Sequence, residues 1–250
     1  MSNLFWLTDE QLVAIEAAIP KKRRGVKPRR NREVISGIIH VLKIGCRWED
    51  CPADYGPHTT IYNRFNRWSK AGIWAGILAS LVVFDATDIQ CIDSTTAKAH
   101  RCAAGGKGGP QQQAIERSRG GRTTKIHAIV DGDGRIIAFE LTGGNRHDIK
   151  PAAGLIEPLP QAKSLLGDAA YDSDAFRAFL TGRGTTPAIK QNPTRKRLHP
   201  FDKDAYKGRN IIERSFSHLK DWRRVATRYD KLARNFCATV VLASILLWWA

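Results

Sequence analysis

The sequence predicts an α/β domain with a mixed sheet, preceded by an all-helical segment. Three observations carry this expectation. Apolar residues recur at helical spacing over roughly the first eighty residues. Near Val82 the pattern changes to short, β-branched runs separated by turn residues. After that change the elements follow a fixed order of three strands, then helix, strand, helix, strand, helix.

The elements can be justified in order. Thr8 and Gln11 form a capping box, with Leu7 and Leu12 as a hydrophobic staple, so a helix runs to about Ala18. Between Lys21 and Arg32, eight of twelve residues are Lys or Arg, interrupted by Gly25 and Pro28, which reads as a basic arm rather than a packed element. Glu33–Ile44 is an amphipathic helix stopped by Gly45. Thr59–Lys70 follows a Pro/Gly turn, with Ile61, Phe65 and Trp68 on its apolar face, and a fourth helix begins near Trp74. A bundle of this kind with a basic member resembles a helix-turn-helix unit.

Ile89–Asp93 reads as the first strand, and Ala103–Thr123, rich in Gly, Gln and Arg, as a mobile loop. Thr124–Asp131 and Arg135–Thr142 are strands joined by a hairpin turn at Gly132-Asp133-Gly134. Ile149–Ile156 and Asp174–Thr181 are helices, and Ser164–Gly167 and Thr186–Lys190 are strands. A basic connection then leads to a helix near Glu213 and to an apolar C-terminal helix, Phe236–Trp249, expected to pack against the sheet. This order is that of a ribonuclease-H-like fold, with five strands, the first central and the fourth parallel to it. The expected division is a helical domain over residues 1–81, including the arm at 21–32, and an α/β domain over 82–250.

The formal charge of +16 on 250 residues points to a polyanionic partner, nucleic acid before membrane. The longest apolar run, Phe236–Ala250, is shorter than the roughly 20 residues a spanning helix needs. Five cysteines without framework spacing suit reduced thiols in a cytoplasm, and Cys46 and Cys51 have no second pair with which to complete a zinc site.

The most specific pattern is Tyr206–x2–Arg209–x3–Glu213–x6–Lys220. On one continuous helix these four residues fall within an arc of roughly 60°, opposite Ile212, Phe216 and Leu219. A plain surface ion pair explains Arg209 and Glu213 at i,i+4 but not the other two. The fold supplies two more acids. Asp93 ends the first strand and Asp168 the fourth, so parallel pairing sets them side by side, and the helix delivers Glu213. Three converging carboxylates repel one another unless divalent cations neutralise them. Oxygen-only ligands favour Mg²⁺ or Mn²⁺, and two such ions are the usual arrangement for phosphodiester chemistry. Each acid has a plainer reading as a turn former, a cap or an ion-pair partner; their joint placement is what points to chemistry.

The motif resembles the signature of bacterial insertion-sequence transposases of the DDE type, within the insertion-sequence-five family. Ile92-Asp93-Ser94-Thr95-Thr96, Ser118-Arg119-Gly120-Gly121, Thr124-Lys125-Ile126-His127 and Gly167-Asp168-x-Ala170-Tyr171-Asp172 are similar to segments of that family, as are Leu7–Gln11, Trp48, Tyr55-Gly56-Pro57 and the Trp68…Gly72…Trp74 spacing. The resemblance covers nearly the whole chain. It implies Asp93, Asp168 and Glu213 as catalytic acids and metal ligands, with two Mg²⁺ or Mn²⁺ ions. It implies phosphate contacts from Tyr206, Arg209 and Lys220. The implied reaction is cleavage of double-stranded DNA at terminal inverted repeats and joining of the 3′ ends to target DNA, by a homodimer or larger assembly in the bacterial cytoplasm, on the nucleoid.

Further DNA contacts are expected from Lys21, Lys22, Arg23 and Arg24 of the arm, and from Arg64 and Arg67 of the third helix, which equally suits a surface helix of a bundle. His100, His127, His147 and His218 lack paired ligand spacing and read as structural, and His147-Asp148 as the cap of the next helix. Asp131 and Asp133 belong to the hairpin turn. Two rivals stand beside the transposase reading: a ribonuclease-H-like nuclease that cuts without joining, and a DNA-binding regulator with vestigial acids.

Overall fold

The computed structural model describes residues 4–20, 30–82, 88–196, 198–199 and 201–250. By contacts the chain divides into two units, one made of Met1–Val83, His100–Lys107 and Leu219–Ala250, the other of Phe84–Ala99 and Gly108–His218.

The first unit is helical. Thr8 caps the helix Asp9–Ala18 through the capping box with Gln11. Asn31–Ile44 ends at Gly45, whose φ of +82° is the left-handed conformation that stops a helix without a Cβ penalty. His58–Lys70 and Ile73–Leu81 follow. Ile35, Ile38, Ile61, Phe65 and Ile77 are all fully buried.

The C-terminal helix Ala233–Ser244 corrects the sequence expectation. It packs against His58–Lys70 and Ile73–Leu81, burying Phe236, Val240 and Leu242 among helices instead of against the sheet. An apolar period announces a core but not which core. The contact-based division therefore assigns this segment to the helical unit, whereas the sequence reading placed it within 82–250. Among the described residues no helix is long and apolar enough to cross a membrane.

The second unit is built on the sheet. Its strands are β1 (Ile89–Ala99), β2 (Glu116–Ser118), β3 (Gly121–Val130), β4 (Ile136–Gly143), β5 (Ser164–Gly167) and β6 (Thr186–Ile189). The order runs β2-β3-β1-β5-β6, with β4 on β3. β1 pairs antiparallel with β3 and parallel with β5, and β6 extends the parallel half. This is the topology expected of a ribonuclease-H-like sheet. The short β2 lies within the stretch read as a mobile loop, and Gly109–Gln112 forms one helical turn there.

β1 is also longer than expected. Its pairing with β3 continues from Cys91 to Lys98, so Asp93 lies inside the strand instead of at its end. Ile92, Ile129, Leu165, Phe176, Leu180 and Ile189 bury one face beneath the helices Ile149–Ile156 and Asp174–Gly182.

The Asp172 side chain is enclosed between Arg177 and Arg195, at 2.8 and 2.9 Å. Burial alone would raise its pKa. Hydrogen bonds from Arg195, the Asn192 N–H and Arg177 outweigh that and hold it at about 2. The pair anchors the 191–199 connection, which leads towards the site.

Candidate active site

The parallel register positions the first two acids. Gln90 stands opposite Leu165 and Cys91 opposite Leu166. Two further steps along each strand bring Asp93 beside Asp168, both pointing to the same face. Gly167 permits this approach, since a Cβ there would lie 3.2 Å from the Ile92 side chain.

The Asp93 carboxylate is held at both oxygens. One accepts the Ser94 N–H at 2.7 Å, and the other accepts Arg209 Nη1 at 2.6 Å. Burial raises its pKa, the Ser94 N–H and Arg209 counter that rise, and the Asp168 charge adds to it. Asp168 accepts the Ala170 N–H at 2.9 Å and so caps the turn Ala169–Tyr171.

Glu213 enters from the helix Asn210–Lys220. That helix is docked by the hairpin turn. The Ser215 hydroxyl donates to the Gly134 carbonyl at 2.6 Å, and Gly134, at φ +81°, lies so close that a Cβ would meet Ile211 and Ser215 at 3.0 Å. The hairpin chemistry itself follows the sequence, with Asp131 accepting the Asp133 and Arg135 N–H groups.

Arg209 joins the acids. Its Nη2 donates to Glu213 at 2.5 Å while Nη1 holds Asp93. The guanidinium lies 5.8 Å from the Tyr206 ring centroid, and Phe201 meets that ring edge-on. The expected continuous helix is broken here. Tyr206 belongs to the short helix Lys203–Lys207, and a turn at Gly208–Arg209 precedes the next helix. Arg209 therefore points at the carboxylates, not outward along a single stripe. Lys220, the last residue of its helix, is half-buried, and desolvation lowers its pKa.

The three acids do not form a ready cage. Among the described residues no group of three or more His, Cys, Asp or Glu side chains is placed to hold a metal ion. The Arg209 guanidinium, bound to Asp93 and Glu213, supplies positive charge between them. The donors fit a hard ion nonetheless. They are all carboxylate oxygens, and Asp93 is a partly buried acid whose pKa is raised by that burial and further by a neighbouring acid, the condition that a divalent cation relieves.

The helical unit holds fewer of the expected contacts. Arg64 is buried, donates to Asn31 Oδ1 at 3.0 Å and stacks over Trp68, so it ties helices together and is withdrawn from any DNA surface. Arg67 is exposed. Lys21, Lys22, Arg23 and Arg24 lie outside the described residues. At the edge of the arm, Arg32 pairs with Asp9 at 2.6 Å and Arg30 with Glu33 at 3.1 Å, so these two charges are already engaged.

Sequence reasoning missed Asp148. Its carboxylate caps nothing. It accepts the Ser94 hydroxyl at 2.6 Å, pairs with Lys125 at 3.0 Å and lies 3.5 Å from His127 Nδ1. His127 is buried and bonded through Nε2 to Thr142 at 2.8 Å; burial pulls its pKa down to about 4 despite Asp148. The His-Asp dipeptide at 147–148 was the available signal, but only tertiary structure shows that Asp148 reaches back to the residue after Asp93.

The family described as "Transposase DDE domain" matches residues 85–248, and that described as "Putative transposase of IS4/5 family" matches residues 7–78. A protein described as a transposase for insertion sequence element IS6501 of Brucella ovis is 39% identical over 127 residues, covering 50% of this chain and 98% of the relative. One described for element IS402 of Burkholderia cepacia is 30% identical over 145 residues, covering 54% and 65%. Among solved structures, a piggyBac transposase synaptic complex with hairpin DNA aligns over 94% of this chain and 69% of its own, at 11% identity and a TM-score of 0.47. The catalytic core of BIV integrase aligns over 64% and 83%, at 15% identity and a TM-score of 0.37.

Proposed function

Because this chain belongs to the family of transposases with a DDE domain, we propose that it cuts double-stranded DNA at the inverted ends of a mobile element and joins the freed 3′ ends to target DNA. Asp93, Asp168 and Glu213 are the acids of that chemistry. The observation that supports this reading is one guanidinium, that of Arg209, bound to both Asp93 and Glu213, with the β1–β5 register carrying Asp168 beside Asp93.

Asp93, Asp168 and Glu213 would hold Mg²⁺ or Mn²⁺, which when bound supplies charge neutralisation at the attacking and leaving oxygens of an in-line displacement. The protein's own groups do the rest. The Ser94 N–H fixes one oxygen of Asp93 and so its direction. Arg209 is the movable counter-charge: a phosphate arriving at the site offers its guanidinium a second anion and frees Asp93 and Glu213. Tyr206, packed beside Arg209, offers a phenol to the same phosphate, and Lys220 an ammonium about two helical turns from Glu213. The helical unit, 1–81 in the sequence division, carries the basic arm and Arg67 and holds the DNA end through phosphate contacts. Synapsis of two ends requires at least a homodimer, acting on nucleoid DNA in the bacterial cytoplasm.

A strand-transfer assay with precleaved ends and Mn²⁺ tests the reading. Joined products are expected from the native chain and none from Asp93→Asn, with duplex binding kept. Cleavage without joining would leave a plain nuclease, and undiminished joining by Asp93→Asn would remove these acids from the chemistry.

A further inference from the structure

The ribbon formed by β2 and the start of β3 carries positive charge that the chemistry above does not use. Its register sets Arg117 directly opposite Arg122, with Glu116 opposite Thr123 and Ser118 opposite Gly121. Arg117, Arg119 and Arg122 are all exposed. So is Arg146, in the turn after β4, where the Gly144 N–H donates to the Thr123 carbonyl at 3.1 Å and brings that turn to the same end of the sheet. Among the described residues none of these four arginines has an ion-pair partner. Glu116, the acid of the ribbon, is paired with Thr123 and so faces the other way, where it packs against Gly143.

Two arginines opposite each other in an antiparallel pair have Cα atoms about 4.5–5.5 Å apart, and like charges so placed are destabilising. The turn is nonetheless braced to keep them there. The Ser118 hydroxyl donates to the Gly121 carbonyl, the Thr123 hydroxyl donates to Ser118 Oγ, both at 3.1 Å, and Gly121 takes the φ of +99° that the turn requires. A rigid element that holds guanidiniums together without an acid between them is suited to an outside anion.

β3 connects this ribbon to the site. Ala128 stands opposite Asp93, and Arg122 lies six residues earlier on the same strand. Six is an even number of steps, so Arg122 and its partner Arg117 belong to the face of the sheet that carries Asp93. Six strand residues span about 20 Å, which is roughly the rise of six nucleotides along one strand of a duplex.

We infer that the β2–β3 ribbon is a sequence-independent phosphate grip, in which Arg117 and Arg122 hold adjacent phosphates of one DNA strand about six base pairs from the scissile bond. Arg119 and Arg146 extend the same positive end. The inference rests on the DNA reading and adds to it a place: the α/β unit holds the duplex by its backbone beside the acids, independently of the helical unit.

The test uses the full chain and a labelled, precleaved element end, with an unrelated duplex for comparison. Binding is read by fluorescence anisotropy over a range of salt. Each phosphate contact adds about 0.9 to the slope of log affinity against log salt, so Arg117→Ala with Arg122→Ala is expected to flatten it by about two. Affinity at physiological salt should fall roughly tenfold, and equally for both duplexes. Arg117→Lys with Arg122→Lys should restore most of the slope. Lys150→Ala, an exposed cation on the helix over the opposite face, should leave the slope unchanged. Neutral methylphosphonates about six base pairs from the scissile bond should weaken the native chain and add nothing in the double alanine variant. An unchanged slope in that variant, a loss confined to one sequence, or a methylphosphonate penalty that persists in it overturns the inference and leaves the DNA reading intact. Failure of the native chain to bind either duplex overturns the DNA reading itself.

Discussion

Asp93 and Asp148 make an instructive pair. Both are partly buried carboxylates linked through Ser94, whose N–H holds one and whose hydroxyl holds the other. Successive residues of β1 alternate faces, so the two acids serve opposite sides of the sheet. Asp148 has local partners of its own: its Oδ1 accepts the Ser94 hydroxyl and pairs with Lys125, and His127 Nδ1 lies 3.5 Å away. Asp93 has a second acid beside it and one cation, Arg209, which it shares with Glu213. The compensated acid is built to stay, and the under-compensated one to accept a further positive charge. On the proposed reading, Asp148 is the structural carboxylate of the two and Asp93 the chemical one.

The largest expected effect breaks the pair apart. Asp93→Asn, Asp168→Asn or Glu213→Gln is expected to lower strand joining by roughly 10³-fold with little loss of thermal stability. Asp148→Asn should do the reverse, lowering the unfolding free energy by about 1–3 kcal/mol because Lys125 loses its charge partner. Activity and melting temperature measured on the same four variants decide the matter; equal loss of activity from Asp148→Asn through kcat alone would erase the distinction.

Arg209→Ala should sharpen it. Without the guanidinium the acids repel more strongly, so Mn²⁺ affinity measured by calorimetry in the free chain is expected to rise several-fold. Joining falls at the same time, because the phosphate loses its partner. Weaker Mn²⁺ binding in this variant would mean that Arg209 organises the acids instead of standing in for a cation.

The compensated side has its own pH signature. His127 is held near 4 against an ordinary 6.5. In that interval the unfolded chain takes up a proton that the folded chain refuses. The stabilisation is therefore complete above 6.5 and is lost as pH falls towards 4, by an amount on the order of 3 kcal/mol. Chemical denaturation across this range should show the slope in the native chain and a flatter profile in His127→Gln. The smallest effect is expected from Ser94→Ala, which keeps the N–H on Asp93 and removes only the hydroxyl to Asp148. A stability loss of about 1 kcal/mol with joining nearly unchanged is the expected outcome, read by denaturation and the joining assay together.

Much of this was legible in the chain. The capping box at Thr8 and Gln11, the Gly45 stop, the hairpin at Asp131–Gly134 and the strand order all rest on local chemistry, and local chemistry is what a sequence displays. The adjacency of Asp93 and Asp168 was legible because strand order and parallel register fix neighbours across 75 positions. What failed depends on partners. The first strand was read as ending at Asp93, but pairing with the long β3 carries β1 on to Ala99. Gly208 broke a helix that helical periodicity alone would continue. Arg64 carried the charge of a DNA contact and the position of a core residue, and the Asn31 amide and Trp68 ring decided between them. Asp148 was read only as a cap, because its partners Ser94, Lys125 and His127 lie on strands far away in sequence.

The most direct measurement is anomalous scattering from crystals of the chain soaked in Mn²⁺. A manganese peak bound by Asp93 and Asp168, with Arg209 withdrawn from Asp93, is the expected result. Crystals that show Arg209 still on Asp93 and Glu213, and no manganese at these carboxylates even with a DNA end bound, would contradict it.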